Sequence, residues 1–79
     1  MPKAVSKAYY RDASLLTSIG LKVRELRLER NLSQESLAIE CGVPSSQINR
    51  IELGKVNFTV SYLSKLAKAL QVNLKDLLP

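Results

Sequence analysis

The sequence predicts an all-α fold: a compact bundle of five short helices, preceded by a basic arm. Three observations carry that prediction. Apolar residues recur at spacings of three and four along most of the chain. Capping and stop residues bracket each such stretch, and no alternating run is long enough for a strand. With 79 residues the chain makes one domain, near the size at which a single core is marginal without staples, a metal or a partner chain.

Residues 1–14, MPKAVSKAYYRDAS, are basic and lack a sustained period. They read as an arm, with the domain proper over 15–79. The first helical pattern begins at Ser18, where Ile19, Val23, Leu26 and Arg30 share one stripe, Arg27 lies on its flank and Asn31 ends it. Ser33 is the cap of the second helix and Glu35 sits favourably in its first turn. Leu37, Ala38 and Cys41 face inward before Gly42 stops it. The third helix follows Val43-Pro44, buries Ile48 and Ile51, and stops at Gly54. After the loop KVNF, Thr59 caps a fourth helix with the stripe Val60, Leu63, Leu66, Ala67 and Leu70. The closing NLKDLLP reads as a fifth short helix. Asn73 is its cap, Asp76 completes a capping box, and Leu74, Leu77 and Leu78 dock back.

Composition narrows the function. Twelve Lys and Arg against seven Asp and Glu give a net charge of +5, which favours a polyanionic partner, nucleic acid before a membrane surface. A basic surface that is merely solvated is the alternative on charge alone. The single Cys41 excludes an intrachain disulfide, and with no histidine present it excludes a Cys/His zinc site. The N-terminus has no long apolar run and no signal-like segment, so a soluble, cytoplasmic protein without a membrane partner is expected. Without histidine, a glycine-rich phosphate loop or converging carboxylates, neither an enzyme nor a cofactor is expected.

The third helix carries the most informative face. If Ile48 and Ile51 point inward, Ser46, Asn49, Arg50 and Leu53 point outward, Gln47 lies at the edge and Ser45 stands at the opening turn. Every polar member of that set can donate a hydrogen bond and none is negative. Such a face suits a major groove. A carboxylate there would meet the phosphates on either side, whereas Arg can grip guanine, Asn or Gln can pair with adenine, and Ser fits several edges. An ordinary solvated face is the competing reading. On the inner side, Glu52 falls close to Ile48, and Arg27 falls beside Val23 on the first helix. A buried charge without a partner is costly, so the two are predicted to form a structural ion pair between these helices.

Leu21 and Leu28 fall opposite the inner stripe of the first helix, and Ile39 falls outward on the second. Isolated surface leucines need no explanation. The alternative is that the arm, with Val5, Tyr9 and Tyr10, folds over Leu21 and Leu28, or that a partner meets this surface.

With these residues in place, the chain resembles the helix-turn-helix family of phage repressors and Cro, also called the xenobiotic-response-element (XRE) type. The resemblance spans Ile19 to Leu78 and rests on IGLKVRELRLERNLSQESLA, CGVPSSQINRIELGK and LSKLAKALQVNLKDLL, taken together in that order and spacing. It implies a lambda-repressor-like bundle whose second and third helices form the helix-turn-helix, the third lying in the major groove. It further implies a sequence-specific regulator of transcription that binds double-stranded DNA, in the first instance a repressor acting as a homodimer on a palindromic operator. Position by position, Gln34 matches a glutamine that contacts phosphate and braces the recognition helix. Ser45, Ser46, Asn49 and Arg50 match base-facing positions, Gln47 is a base or phosphate contact, and Lys55 and Asn57 lie in the loop that holds the DNA backbone. The resemblance places the dimer contacts among Leu53, Val56, Phe58, Tyr62 and Leu74, and it includes an ion pair matching Arg27 and Glu52. One departure is Pro44, which stands where a serine or threonine cap is common and makes Ser45 the candidate cap. The competing function is an antitoxin or protein-interaction module, with a toxin or another regulator as partner.

Overall fold

The structure is a computed structural model and describes residues 10–79. It consists of α1 (Ala13–Glu29), α2 (Gln34–Cys41), α3 (Ser45–Glu52), α4 (Val60–Leu70) and a 3-10 turn, η1 (Leu74–Leu77). No strand occurs among the described residues. The expected fifth helix is therefore η1, so the described residues hold four α-helices rather than five. The capping box itself is present: the Asn73 N–H donates to Asp76 Oδ2 at 3.0 Å. Four residues close only the tighter i to i+3 ladder before Leu78 turns extended.

Helix α1 begins at Ala13, more than a turn before Ser18. Asp12 caps it, its Oδ1 accepting from the Leu15 N–H at 3.0 Å, and Leu16 joins the core. Ala13 and Ser14, expected in the arm, thus open the helix. Arg30 does not share the inner stripe. It is exposed, and its Nη1 donates to Gln71 Oε1 at 2.8 Å. The alternative in which the arm covers Leu21 and Leu28 through Val5 and Tyr9 falls on residues outside the described ones; Tyr10 itself is exposed, as are Leu21, Leu28 and Ile39.

The other boundaries follow local chemistry. Ser33 and Thr59 accept from the N–H groups of Ser36 and Tyr62, at 2.9 and 3.1 Å. Gly42 leaves α2 at φ 71° and Gly54 follows α3 at φ 75°, a left-handed conformation in which glycine carries no Cβ penalty. Asn31, after α1, takes φ 58°, which asparagine tolerates better than most residues.

The core contains Ile19, Val23, Leu37, Ile48, Ile51, Leu66, Leu70 and Leu77. Full burial of each such side chain contributes about 1.5–3 kcal/mol. Two expected members lie outside it: Val60 is exposed because it opens α4 at the helix end, and Leu78 is exposed beyond η1. At the crossing of α1 and α3 the backbones meet. A Cβ on Gly20 would collide with the Ile51 carbonyl and come within 2.7 Å of the Glu52 carbonyl, so only glycine lets α3 pack this close.

Candidate nucleic-acid interface

Two short helices joined at Gly42-Val43-Pro44 support the interface. The Val43 N–H closes the end of α2 by donating to the Ala38 carbonyl at 3.0 Å. Pro44 then takes an extended conformation as the N-cap of α3. It has no side-chain acceptor, but its carbonyl receives the Gln47 N–H at 3.0 Å. Ser45 is consequently the first helical residue and not the cap. The expectation that capping occupies its hydroxyl is corrected: the fixed φ of proline suits the residue ahead of the helix, and the helix starts without a side-chain cap.

From that start, Ser45, Ser46, Asn49 and Arg50 are exposed and Gln47 is half-buried, while Ile48, Ile51 and Glu52 are buried behind them. The outward polar positions are all hydrogen-bond donors. Behind them lies the ion pair. Arg27 Nε and Nη2 donate to Glu52 Oε2 and Oε1 at 2.6 and 3.1 Å, and Arg27 Nη1 donates to the Leu32 carbonyl at 2.7 Å. Both side chains are buried, and the two-pronged geometry offsets the cost of desolvating them. The predicted pair therefore joins α1, the approach to α2, and α3.

Gln34 opens α2 beside this pair. Its Nε2 donates to Glu52 Oε1 at 3.0 Å and lies 3.3 Å from Asn49 Oδ1. The glutamine thus links the buried carboxylate to an outward residue of α3, the bracing geometry that the resemblance implied.

The loop after α3 is tied to the segment ahead of α1. Lys55 is exposed, and its N–H donates to the Arg50 carbonyl at 2.9 Å. Asn57 Nδ2 donates to the Tyr10 carbonyl at 3.0 Å, so its amide group already holds the segment ahead of α1. Arg11 completes the strap, Nη2 donating to the Gly54 carbonyl at 2.7 Å and Nη1 approaching the Lys55 carbonyl at 3.5 Å. Sequence reasoning missed Tyr10 and Arg11 as partners of this loop. A basic residue at a helix approach was the only signal, and it does not say which carbonyl it will find.

Elsewhere the chemistry is that of a core. Burial pushes the Cys41 thiol up, Lys65 opposing and Glu40 adding to the shift. Burial also raises the Tyr62 phenol, with Cys41 adding to it. Both groups are away from the outer face of α3. Among the described residues no group of three or more metal-ligating side chains gathers, and no helix is long and apolar enough to cross a membrane.

A short helix braced from behind by an ion pair, preceded by a second short helix across a glycine-containing turn, defines a helix-turn-helix. The helix-turn-helix family model matches residues 23–77, and the chain belongs to that family, in its phage-repressor and Cro branch of DNA-binding transcription regulators. Among individual proteins it is similar to the control protein C.BamHI of Bacillus amyloliquefaciens, at 47% identity over 60 residues, covering 75% of this chain and 74% of that protein. The restriction-modification controller protein C.AhdI from Aeromonas hydrophila superposes with a TM-score of 0.75 at 37% identity, over 78% of this chain and 94% of the other. A hypothetical transcription factor, NHTF, from Neisseria superposes with a TM-score of 0.77 at 30% identity, over 86% and 79% of the two chains.

Proposed function

We propose that this protein is a controller of restriction-modification genes that binds a roughly palindromic operator as a two-fold dimer and represses transcription there. The observation that carries the DNA reading is the outer face of α3: Ser45, Ser46, Asn49 and Arg50 are exposed together on a helix whose opposite side is fixed by Arg27 and Glu52. In this reading Ser46, Asn49 and Arg50 meet base edges, Ser45 is released from capping to join them, and Gln47 contacts a base or phosphate. Gln34 and Lys55 hold the DNA backbone, which positions the protein without reading sequence. Asn57 contributes through the loop that it ties to Tyr10. Similarity to two control proteins of restriction-modification systems favours the controller role.

The DNA-binding domain begins with α1 at Ala13, and the basic arm ahead of it adds charge for phosphate. The protein works in the cytoplasm, has no catalytic role and needs no cofactor. Exposed Leu53, with the partly buried Val56, Phe58, Tyr62 and Leu74, supplies the dimer contact, which sets two copies of α3 about one DNA turn apart. The second reading, capture of a protein partner such as a toxin, is favoured by exposed Leu21, Leu28 and Ile39.

Selection from a random duplex pool tests the main reading. The expected product is one sequence repeated as inverted half-sites, bound with an affinity that falls steeply as salt rises. Equal binding to every duplex refutes sequence reading, and sedimentation showing monomers both free and on DNA refutes the dimer.

A further inference from the structure

The loop that follows α3 has few groups of its own to hold a phosphate. The N–H groups of Leu53, Gly54 and Lys55 donate back to the carbonyls of Asn49, Ile51 and Arg50, at 3.1, 3.0 and 2.9 Å. The Asn57 amide is engaged with the Tyr10 carbonyl. Between Gly54 and Thr59 the one cationic side chain is that of Lys55, and it stands at the end of α3 that carries the partial negative charge of the helix. Arg11 changes this balance. Its Nη2 donates to the Gly54 carbonyl at 2.7 Å and its Nη1 lies 3.5 Å from the Lys55 carbonyl. A guanidinium from 43 positions away in the chain thus sits at the carbonyl end of α3, beside Lys55. It is exposed, and a guanidinium has more N–H groups than these carbonyls accept. The neighbouring carboxylate, Asp12, is turned to the start of α1, where Oδ1 accepts from the Leu15 N–H at 3.0 Å. Among the described residues Asp12 forms no ion pair with Arg11.

We propose that Arg11 is a contact to the DNA backbone, gripping a phosphate together with Lys55 where the chain leaves α3; this deepens the DNA-binding reading above and rests on it. The bond to Gly54 holds the side chain in place before DNA arrives, so less freedom is lost on binding. Arginine can also meet two phosphate oxygens at once. The contact positions the protein without reading sequence. Asn57, by holding the Tyr10 carbonyl, keeps the segment that carries Arg11 against the loop.

The test measures DNA affinity of the full chain over a series of salt concentrations, for the wild type, Arg11→Gln, Arg11→Lys and Lys75→Gln. Glutamine keeps a donor for the Gly54 carbonyl but removes the charge, and lysine keeps the charge. Lys75 is exposed on η1, which packs against α1 and α4 rather than α3, so its variant controls for net charge. In Arg11→Gln the slope of log affinity against log salt should shrink by about one for each copy bound, with every operator variant weakened by the same factor. Arg11→Lys and Lys75→Gln should keep the wild-type slope. An unchanged slope in Arg11→Gln, or an equal change in Lys75→Gln, overturns the contact. A loss confined to one base pair overturns it as well, because Arg11 would then read a base. A role limited to holding the loop would show in Arg11→Ala as a lower thermal midpoint with the slope intact, and that result also overturns the proposal. If the wild type prefers no duplex, sequence reading fails, yet the same salt series on any duplex still decides for or against Arg11. If the wild type binds no DNA, both readings fall.

Discussion

The two sides of α3 ask different things of the same eight residues. Ile48, Ile51 and Glu52 on the inner side are buried and fully committed to neighbours, whereas Ser45, Ser46, Asn49 and Arg50 on the outer side are exposed. The inner side should therefore govern stability and the outer side affinity. Gln34 is the place where the two meet, since it bonds to a residue on each.

The largest effect expected from breaking that division is on the inner side. Glu52→Ala leaves Arg27 buried without its carboxylate and should cost about 3–5 kcal/mol in chemical denaturation. Its control is Glu25→Ala, which removes only the exposed 3.6 Å contact to Lys22 and should cost about 0–1 kcal/mol; equal losses in the two variants would rule out a structural role for the buried pair. Gly20→Ala comes next, at about 1–3 kcal/mol, because its methyl group must push α1 away from the α3 carbonyls. A thermal midpoint unchanged from wild type would contradict that contact. On the outer side, Arg50→Ala should keep the melting temperature and weaken operator binding by about 1–3 kcal/mol, concentrated at one base pair. A uniform loss across all sequences in titrations of single-base operator variants would instead make Arg50 a phosphate contact.

The smallest effect concerns a polar group of the interior outside this pairing. The Tyr62 hydroxyl is buried and has no hydrogen-bond partner among the described residues. Tyr62→Phe should therefore be neutral or stabilising by up to about 1 kcal/mol in urea denaturation at neutral pH. Tyr62 and Cys41 are both held above their ordinary pKa values by burial, so folding favours their neutral forms. Their contribution is fully present below about pH 8.5 for the thiol and pH 10 for the phenol, and it is lost as pH rises through the folded values. In an alkaline series Tyr62→Phe should lose less stability than the wild type, and identical slopes would exclude the phenol as a contributor.

Much of this arrangement was legible in the sequence because it depends on local rules. Ser33, Thr59 and Asn73 as caps, Gly42 and Gly54 as left-handed ends, and Arg27 opposite Glu52 all follow from spacing and from the cost of an unpaired buried charge. The start of α1 was not legible in the same way. Of Leu15 and Leu16 only the second is buried, and nothing local says which of two adjacent leucines will find a neighbour. Periodicity also overextended the buried stripe of the fourth helix, counting Val60 as core when its position at the helix end leaves it in solvent. Asn57 shows a different limit. Its amide holds the Tyr10 carbonyl, and a side-chain bond to a distant backbone atom leaves no pattern along the chain. Pro44 was recognised as unusual, but the pattern did not tell whether the helix would slip by a residue or begin uncapped.

Gly20 also bears on how this scaffold can be diversified. Since α1 meets α3 backbone to backbone there, the spacing between the two helices is set by main-chain atoms and is insulated from side-chain choice on the opposite surface. A library that randomises Ser45, Ser46, Asn49 and Arg50 while retaining Gly20, Gln34 and Glu52 would keep each new recognition surface in the same register, so that differences among its members would report chemistry at the bases rather than movement of the helix.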